Sequence, residues 1–324
     1  MRKILILLPA SIAGRLIMES FATGFEANNC SVLQKEVDKL NQADLEKFKP
    51  EAIMGYDYSY LMDENCKKII EAYGCKNLIF YFADEPQSSF SYGNKKELYE
   101  ELKKTDAKIF VWDRDFTKEF KNCHFLPLAA NSVKYAVDFS GYKYPITFVG
   151  RPLTKKRQQI LCDIIKTFKN QLNIFCYEKH FEKSVEEIKE QGLLDESDLS
   201  VYKKSWKGFV KKEEELAKIY NSSKINLNIT EQGKSSLNYR VFEVLAAGGF
   251  LLTDERDDLK KYFAESKHLE TYKNSADLID KIEFYMLNLN IAQKVAHLGR
   301  LQCIEKHNYS ARAREILNKV KNNV

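Results

Sequence analysis

Short apolar runs alternate with longer stretches of helical periodicity along most of the chain. Lys3 to Leu8, Ala52 to Tyr56, Asn77 to Phe82, Lys108 to Trp112 and His124 to Leu126 have the length of buried strands, with helical patterns between them. That alternation predicts an α/β architecture with parallel sheets rather than a bundle or a sandwich. The segment from Pro127-Leu128-Ala129-Ala130-Asn131 to Pro145 reads as an irregular connection, after which the alternation starts afresh. Its second round is a strand at Ile146 to Val149, a helix from about Lys155 to Lys169, a strand at Asn173 to Tyr177, a helix near Glu213 to Tyr220 and a strand at Lys224 to Asn228. A boundary near residue 142 follows, giving domains at 1–142 and 143–324. Glu182 to Lys212 is charged with few apolar anchors and reads as a helix and loops with a solvated face. Ser310 to Val324 has a helical pattern.

The most informative stretch runs from Ser235 to Asp254. Ser235 and Ser236 are candidate N-caps, Leu237, Val241, Val244 and Leu245 recur at helical spacing, and Gly248-Gly249 ends the helix before the apolar run Phe250 to Leu252. The N–H groups at such a helix start attract a diphosphate. Glu243 stands mid-helix among apolar neighbours, where an unpaired carboxylate is costly. Two partners suit it, a sugar hydroxyl of a bound ligand or Arg240 three residues before.

Composition narrows the class. In 324 residues, 44% hydrophobic and 12% aromatic content supports two cores. Lys+Arg 51 against Asp+Glu 46 leaves a net charge of +5, too slight to call for a nucleic-acid partner yet compatible with acidic small ligands. The seven cysteines show no CxxC and the five histidines no metal-like spacing, so free thiols in a reducing cytoplasm are expected and no metal site is. MRKILILLPASIAG has the outline of a signal peptide, but its apolar run is strand-length and Arg15 and Glu19 follow promptly. No stretch approaches the roughly 18 apolar residues of a membrane span. A cytoplasmic protein, with peripheral contact at the inner face of a membrane left open, is the expectation.

Other residues suit anionic or sugar ligands. Phe148-Val149-Gly150-Arg151-Pro152-Leu153-Thr154-Lys155-Lys156-Arg157 is a strand, a tight turn and a basic helix start. Arg151 and Lys155 there would neutralise a leaving diphosphate without a metal, and a solvated basic helix end is the plain alternative. Gly14 lets the backbone approach a ligand or serves an ordinary turn. Lys207-Gly208-Phe209-Val210 offers backbone groups and an apolar wall to a nucleobase, or is an edge strand. Asn228 orients a hydroxyl or caps a turn at Thr230 to Lys234. Asp84 and Glu85 follow a strand, where Asp84 suits a base or an acceptor contact. Asp113-Arg114-Asp115 has the form D-x-D but no further carboxylates to build a metal site. No G-x-S-x-G, Walker loop or G-x-G-x-x-G is present.

The pieces LIFYFADEP, IFVWDRDF with FLPLAAN, ITFVGRPLTKKR, EELAKIYNSSKINLNI, NYRVFEVLAAGGFLLTDE and HNYSARAREIL together resemble the GT-B glycosyltransferases of the CgeB-like (spore maturation protein) branch, with a glycosyltransferase group 1-like C-terminal domain. The resemblance implies an α/β GT-B fold of two Rossmann-like α/β/α domains facing each other across a cleft. It implies an acceptor held mainly by the first domain, a nucleoside-diphosphate sugar donor held by the second, and a last helix, about 308–324, that returns toward the first. It also implies Glu243 as the donor-ribose carboxylate, Asn238 and Arg240 as polar groups of the donor-site helix, and Arg151 and Lys155 as diphosphate ligands. Many relatives carry a second glutamate eight residues before the position of Glu243, where this chain has Ser235. Stereochemistry therefore stays open.

The sequence thus reads as a metal-independent glycosyltransferase that moves a sugar from a nucleoside diphosphate to a hydroxyl of a glycan, lipid-linked glycan or protein. It requires no cofactor and no nucleic acid. Its candidate catalytic residues are Asp84, Arg151 and Lys155. Gly14, Val210, Asn228, Ser236, Asn238, Arg240 and Glu243 join the two cations in donor binding. A nucleotide-sugar epimerase or hydrolase on the same fold, or a non-catalytic nucleotide-sugar-binding protein, is the alternative.

Overall fold

The computed structural model describes residues 2–87, 96–135, 139–233 and 235–321. Lys234, named above in a turn, and the end of the last predicted helix at 322–324 lie outside them. By internal contacts the chain forms two units, one of Met1–Ala129, Gln232–Leu237 and Lys306–Val324, the other of Ala130–Glu231 and Asn238–Glu305. Residues 130–142, expected with the first domain, fall in the second unit, and Gln232–Leu237 falls in the first.

The first unit is built on strands β1 (Lys3–Leu8), β2 (Ser31–Glu36), β3 (Ala52–Tyr56), β4 (Leu78–Phe82), β5 (Lys108–Val111) and β6 (Cys123–Phe125), all parallel, in the order β2-β1-β3-β4-β5-β6. Helices α1 (Ile12–Glu26), α2 (Gln42–Phe48), α3 (Glu64–Tyr73) and α4 (Lys96–Lys104) connect them. The central strands are buried almost throughout, which is why they read as continuous apolar runs. β2, SVLQKE, was not anticipated. It is a half-buried edge strand whose mixed composition gives no such run.

The second unit carries β7 (Tyr144–Val149), α5 (Lys155–Phe168), β8 (Leu172–Phe175), α6 (Glu178–Glu190), α7 (Glu196–Lys204), α8 (Glu213–Asn221), β9 (Ser223–Asn228), α9 (Tyr239–Ala246), β10 (Leu251–Asp254), α10 (Leu259–Tyr262), β11 (Glu270–Tyr272), α11 (Ser275–Leu287) and α12 (Leu289–Lys306). Its parallel sheet has the order β11-β10-β9-β7-β8. The charged stretch from Glu182 to Lys212 is more than a solvated face. Ile188 of α6, Leu194, and Leu199 and Tyr202 of α7 are buried in the core with Ile146, Ile164 and Ile174, and the Tyr202 hydroxyl pairs with Ser184 Oγ at 2.9 Å. Four well-spaced anchors suffice where the remaining positions face water.

α13 (Tyr309–Lys321) completes the first unit by packing on α1. Arg312, 4% exposed, donates Nε to Pro127 O at 2.7 Å and Nη2 to Leu128 O at 3.1 Å. The rings of Phe21 and Tyr309 meet edge to face at 4.8 Å. The two helices touch at Gly24, where a Cβ would lie 2.4 Å from Tyr309 O. Backbone cannot yield as a flexible side chain does. Gly24→Ala should therefore destabilise the chain by about 1–3 kcal/mol despite the better helix propensity of alanine. Chemical denaturation checks this, and an unchanged or raised midpoint would show that α13 shifts freely on α1.

Candidate active site

The strand order of the second unit is that of a doubly wound sheet, so its crevice opens where the order reverses, at the carboxyl ends of β7 and β9. Two loops leave that point, Gly150-Arg151 after β7 and Ile229-Thr230-Glu231 after β9. Gly150 has φ +142°, and a Cβ there would fall 2.6 Å from Arg240 Nη2. Only glycine lets the guanidinium come so close.

Beside these loops α5 starts with Thr154 as N-cap, its hydroxyl accepting the Arg157 N–H at 3.4 Å. The first turn carries Lys155, Lys156 and Arg157 and no acidic residue. The helix dipole favours negative charge there, so three cations at this end are opposed by it. Arg157, 5% exposed, is held by Ile229 O at 3.0 and 2.7 Å, Arg151 O at 2.9 Å and Glu231 at 2.7 Å. Burial, with Arg240 and Arg151 nearby and Glu231 opposing, brings its pKa down to about 9. Lys156 pairs with Asp254 at 2.7 Å. Arg151 lies 3.7 Å from Glu231 with its side chain 38% exposed. Lys155 is exposed and forms no hydrogen bond or ion pair with the described residues.

Arg240 stands 5.5 Å from the centre of the Phe148 ring, and Arg157 5.4 Å. Arg240 Nη1 and Asn238 Nδ2 both donate to Asn228 Oδ1, at 2.8 and 3.0 Å. Asn228, fully buried, is held in turn by a bond from its amide to Thr253 Oγ1 at 2.9 Å. Asn238 Oδ1 and Arg240 Nε remain buried without a hydrogen-bond partner, polar atoms that a ligand can satisfy. α9 starts later than expected. Its N-cap is Asn238 and not Ser235 or Ser236, and Asn238 puts no side-chain oxygen on the first turn because its amide is committed to Asn228.

Glu243 is buried in α9, and among the described residues its hydrogen-bond partners are two tyrosines and not Arg240. Tyr135 donates to Oε1 at 2.5 Å and Tyr220 to Oε2 at 3.5 Å. Burial raises its pKa to about 7 against the pull of Tyr135 and Arg240. Tyr135 could not have been picked from the sequence, since it lies 108 positions away in an irregular segment. Nearby, Lys134 pairs with the buried Glu213 at 2.7 Å.

Val210 is half-buried after Trp206-Lys207-Gly208, which runs alongside β8 through Cys176 N to Gly208 O at 2.9 Å and Lys207 N to Ile174 O at 2.9 Å. Phe209 stacks on Tyr177, ring centres 3.6 Å apart and planes 19° apart, and both rings stay partly exposed. β8 ends beside Gly150, whose N–H donates to Phe175 O at 3.0 Å.

The remaining candidates belong to the first unit. Gly14 sits in the first turn of α1, where a Cβ would meet Ser11 Oγ at 2.6 Å and Tyr56 at 2.9 Å. Asp84 follows β4 and accepts from the Tyr56 hydroxyl at 3.5 Å. Ser236, 1% exposed, donates its N–H to Asp113 Oδ2 at 3.1 Å, and Ser235 Oγ donates to Asp113 Oδ1 at 3.3 Å. Asp113, first residue of the D-x-D, thus holds the Gln232–Leu237 segment, and a Cβ on Gly233 (φ +70°) would strike its carboxylate at 2.4 Å. Among the described residues no group of three or more His, Cys, Asp or Glu is arranged for a metal ion.

A family model described as glycosyl transferase-like matches residues 157–318, half of the 324 in the chain. The chain belongs to the glycosyl transferase-like family. Solved structures similar to this glycosyltransferase match it end to end. An α-glucosyltransferase in complex with UDP and a 13-mer DNA has TM-score 0.73 and 13% identity over 98% of this chain and 99% of its own. Sucrose-phosphate synthase from Thermosynechococcus elongatus has TM-score 0.67 and 11% identity over 99% of both chains. Anabaena HepE in complex with UDP has TM-score 0.67 and 9% identity over 99% of this chain and 100% of its own. No curated protein matches the sequence significantly. The fold is GT-B, two parallel-sheet α/β domains. No helix among the described residues is long and apolar enough to cross a membrane.

In the glycosyltransferase, Glu243 ties stability to pH. The ordinary carboxyl value of 4.5 rises to about 7 on folding, so between those values the folded chain holds a proton that the unfolded chain has lost. Stability attributable to Glu243 therefore falls as pH rises through this window, and the penalty is complete above about 7. Glu243→Gln still accepts from Tyr135 and cannot ionise. Its stability relative to wild type should rise by something on the order of 3 kcal/mol from about pH 5 to about pH 8. Urea denaturation at each pH measures the difference, and a constant offset would show that Glu243 does not titrate there.

Proposed function

We propose that the chain transfers a sugar from a UDP-sugar, bound by the second unit, to a hydroxyl of a glycan, lipid-linked glycan or protein acceptor bound by the first. One observation carries this reading: five cations, Arg151, Lys155, Lys156, Arg157 and Arg240, gather at the β7/β9 crevice and the positive end of α5, where Glu231 and Asp254 form ion pairs with three of them. A diphosphate answers that surplus, because it brings negative charge to both the cations and the helix dipole. UDP bound to the α-glucosyltransferase and to HepE supports the choice of nucleotide.

Lys155, exposed at the start of α5, and Arg151, 38% exposed at the crevice beside Glu231, are assigned to the phosphate oxygens, with Arg240 and Asn238 supplying the unsatisfied Nε and Oδ1. Glu243 is assigned to the ribose hydroxyls. Val210 and the Phe209–Tyr177 pair form the wall against which uracil packs. As the acceptor oxygen bonds to the anomeric carbon, the bond from that carbon to the β-phosphate oxygen breaks and UDP leaves with the electron pair. Fixed cations stabilise the charge that develops on it without requiring a metal. The acceptor's proton passes to a base, for which Asp84 is the candidate, or to the departing phosphate. Assignment to the CgeB-like branch and to the cytoplasm, with peripheral membrane contact, belongs to the same proposal.

UDP should raise the melting temperature of the wild-type chain in proportion to the logarithm of its concentration. Arg151→Ala and Lys155→Ala should each weaken UDP binding about tenfold or more by calorimetry, with the unliganded melting temperature unchanged. Wild-type affinity in both variants would remove the diphosphate assignment. Consumption of the UDP-sugar with no acceptor present, and no gain on adding one, would favour a hydrolase or epimerase.

A further inference from the structure

The second sheet also carries a cavity at the end opposite its crevice. About 360 Å³ in volume, within the range of small-ligand sites, it opens at the amino ends of β9 and β10. The segment before β7, the junction of α8 and β9, the turn between α9 and β10 and one face of α12 enclose it, all within the second unit. The sugar transfer proposed above uses none of these residues.

Two of its walls are built for contact. The rings of Phe139, 52% exposed, and Tyr142 meet edge to face with centres 5.0 Å apart, and Gln293 of α12 holds the Tyr142 hydroxyl by a hydrogen bond. Across from them Asn221, 7% exposed, turns its amide N–H to Ala247 O at 2.8 Å, which fixes the orientation of the group. Its Oδ1 is accessible and accepts no hydrogen bond from the described residues. His297 is exposed and makes no hydrogen bond or ion pair with them either. Gly248, at φ +74°, keeps the floor open, since a Cβ there would stand 3.4 Å from both Arg300 Cδ and Asn221 Nδ2.

The chemistry of this lining selects a ligand. An exposed ring braced by a second ring, with a few fixed polar groups beside it, suits a molecule that has one apolar face and a polar rim. A phosphate or carboxylate has no hydrogen to give Asn221 Oδ1 and nothing to lay on the rings. A hydroxyl both donates and accepts, so it answers Asn221 Oδ1 and the donors of Arg300 together.

We infer that this cavity binds a neutral sugar residue of a glycan, its ring against Phe139 and its hydroxyls between Asn221 Oδ1 and the side chains of Arg300 and His297. It is a second carbohydrate site, apart from the crevice assigned to the donor, and it stands whether or not that donor is a UDP-sugar.

Imidazole Cε1–H signals of the full chain, recorded by NMR without UDP, provide a reporter inside the cavity. Of the five histidines, His297 is identified by the signal lost in His297→Gln. The probes are the methyl glycosides of glucose, galactose, mannose and N-acetylglucosamine, with glucose 6-phosphate and glucuronate as anionic counterparts. At least one neutral glycoside should shift the His297 signal on titration, and the anions should shift it less. Phe139→Ala should weaken the titration about fivefold while Phe139→Tyr restores it. The melting temperature and the UDP affinity of both variants should match wild type, because the ring is half exposed. No His297 shift from any neutral glycoside, an equal or larger shift from the anions, or an unchanged titration in Phe139→Ala would overturn the inference. None of these results bears on the donor crevice, which UDP binding tests separately.

Discussion

Arg157 is the constraint on which the second unit's crevice depends. Its guanidinium ties together the loop after β7 through Arg151 O, the loop after β9 through Ile229 O and Glu231, and the start of α5, to which it belongs. A cation buried at the positive end of a helix is costly, and the fall of its pKa to about 9 records that cost. Three carbonyl contacts and one carboxylate make it tolerable. Glu231 lies closer to Arg157, at 2.7 Å, than to Arg151, at 3.7 Å, and Lys155 is exposed with no ion pair among the described residues. Gly150 and Asn228 then follow as geometry, the first by making room for Arg240 and the second by orienting it.

Glu243 shows the same economy at the other end of α9. Its carboxyl is solvated by two tyrosine hydroxyls rather than by the arginine one turn away, which is turned to Asn228 instead. Arg240 therefore keeps its charge facing the crevice, and Glu243 is poised near neutrality by burial rather than neutralised by an ion pair. An Arg240–Glu243 pair would have cancelled one of the cations that give the crevice its character.

Much of the fold could be read from the chain because buried parallel strands are nearly continuous apolar runs, and β1, β3, β4 and β7 announce themselves that way. β2 and β11 do not, being edge strands of mixed or short composition. The cations after β7 were legible as a cluster, yet not which of them is spent on structure. Arg157 and Lys155 differ only in where the helical turn points them. The start of α9 was misread because serine is a good N-cap in general, while here Ser235 and Ser236 answer to Asp113, more than a hundred positions earlier. Tyr135 as the partner of Glu243 is likewise a product of distant packing, and no local pattern encodes it.

The two sheets share one strand order over their first five members, with the first strand between the second and third. The fold accordingly makes the same crevice twice and gives neither a chemistry. Chemistry comes from the few residues that follow two strands. After β7 these are Gly150, Arg151 and a basic helix start, and after β9 Ile229, Thr230 and a Glu231 already paired with Arg157. After β1 and β3 they are a proline, an alanine and an aspartate, with α1 beginning without lysine and its one early arginine bound to Glu36. A nucleoside diphosphate placed at the acidic crevice would meet carboxylates at close range, where like-charge contact costs several kcal/mol by order of magnitude. Opposite charge on one strand order thus distinguishes the two crevices, with no difference in fold required.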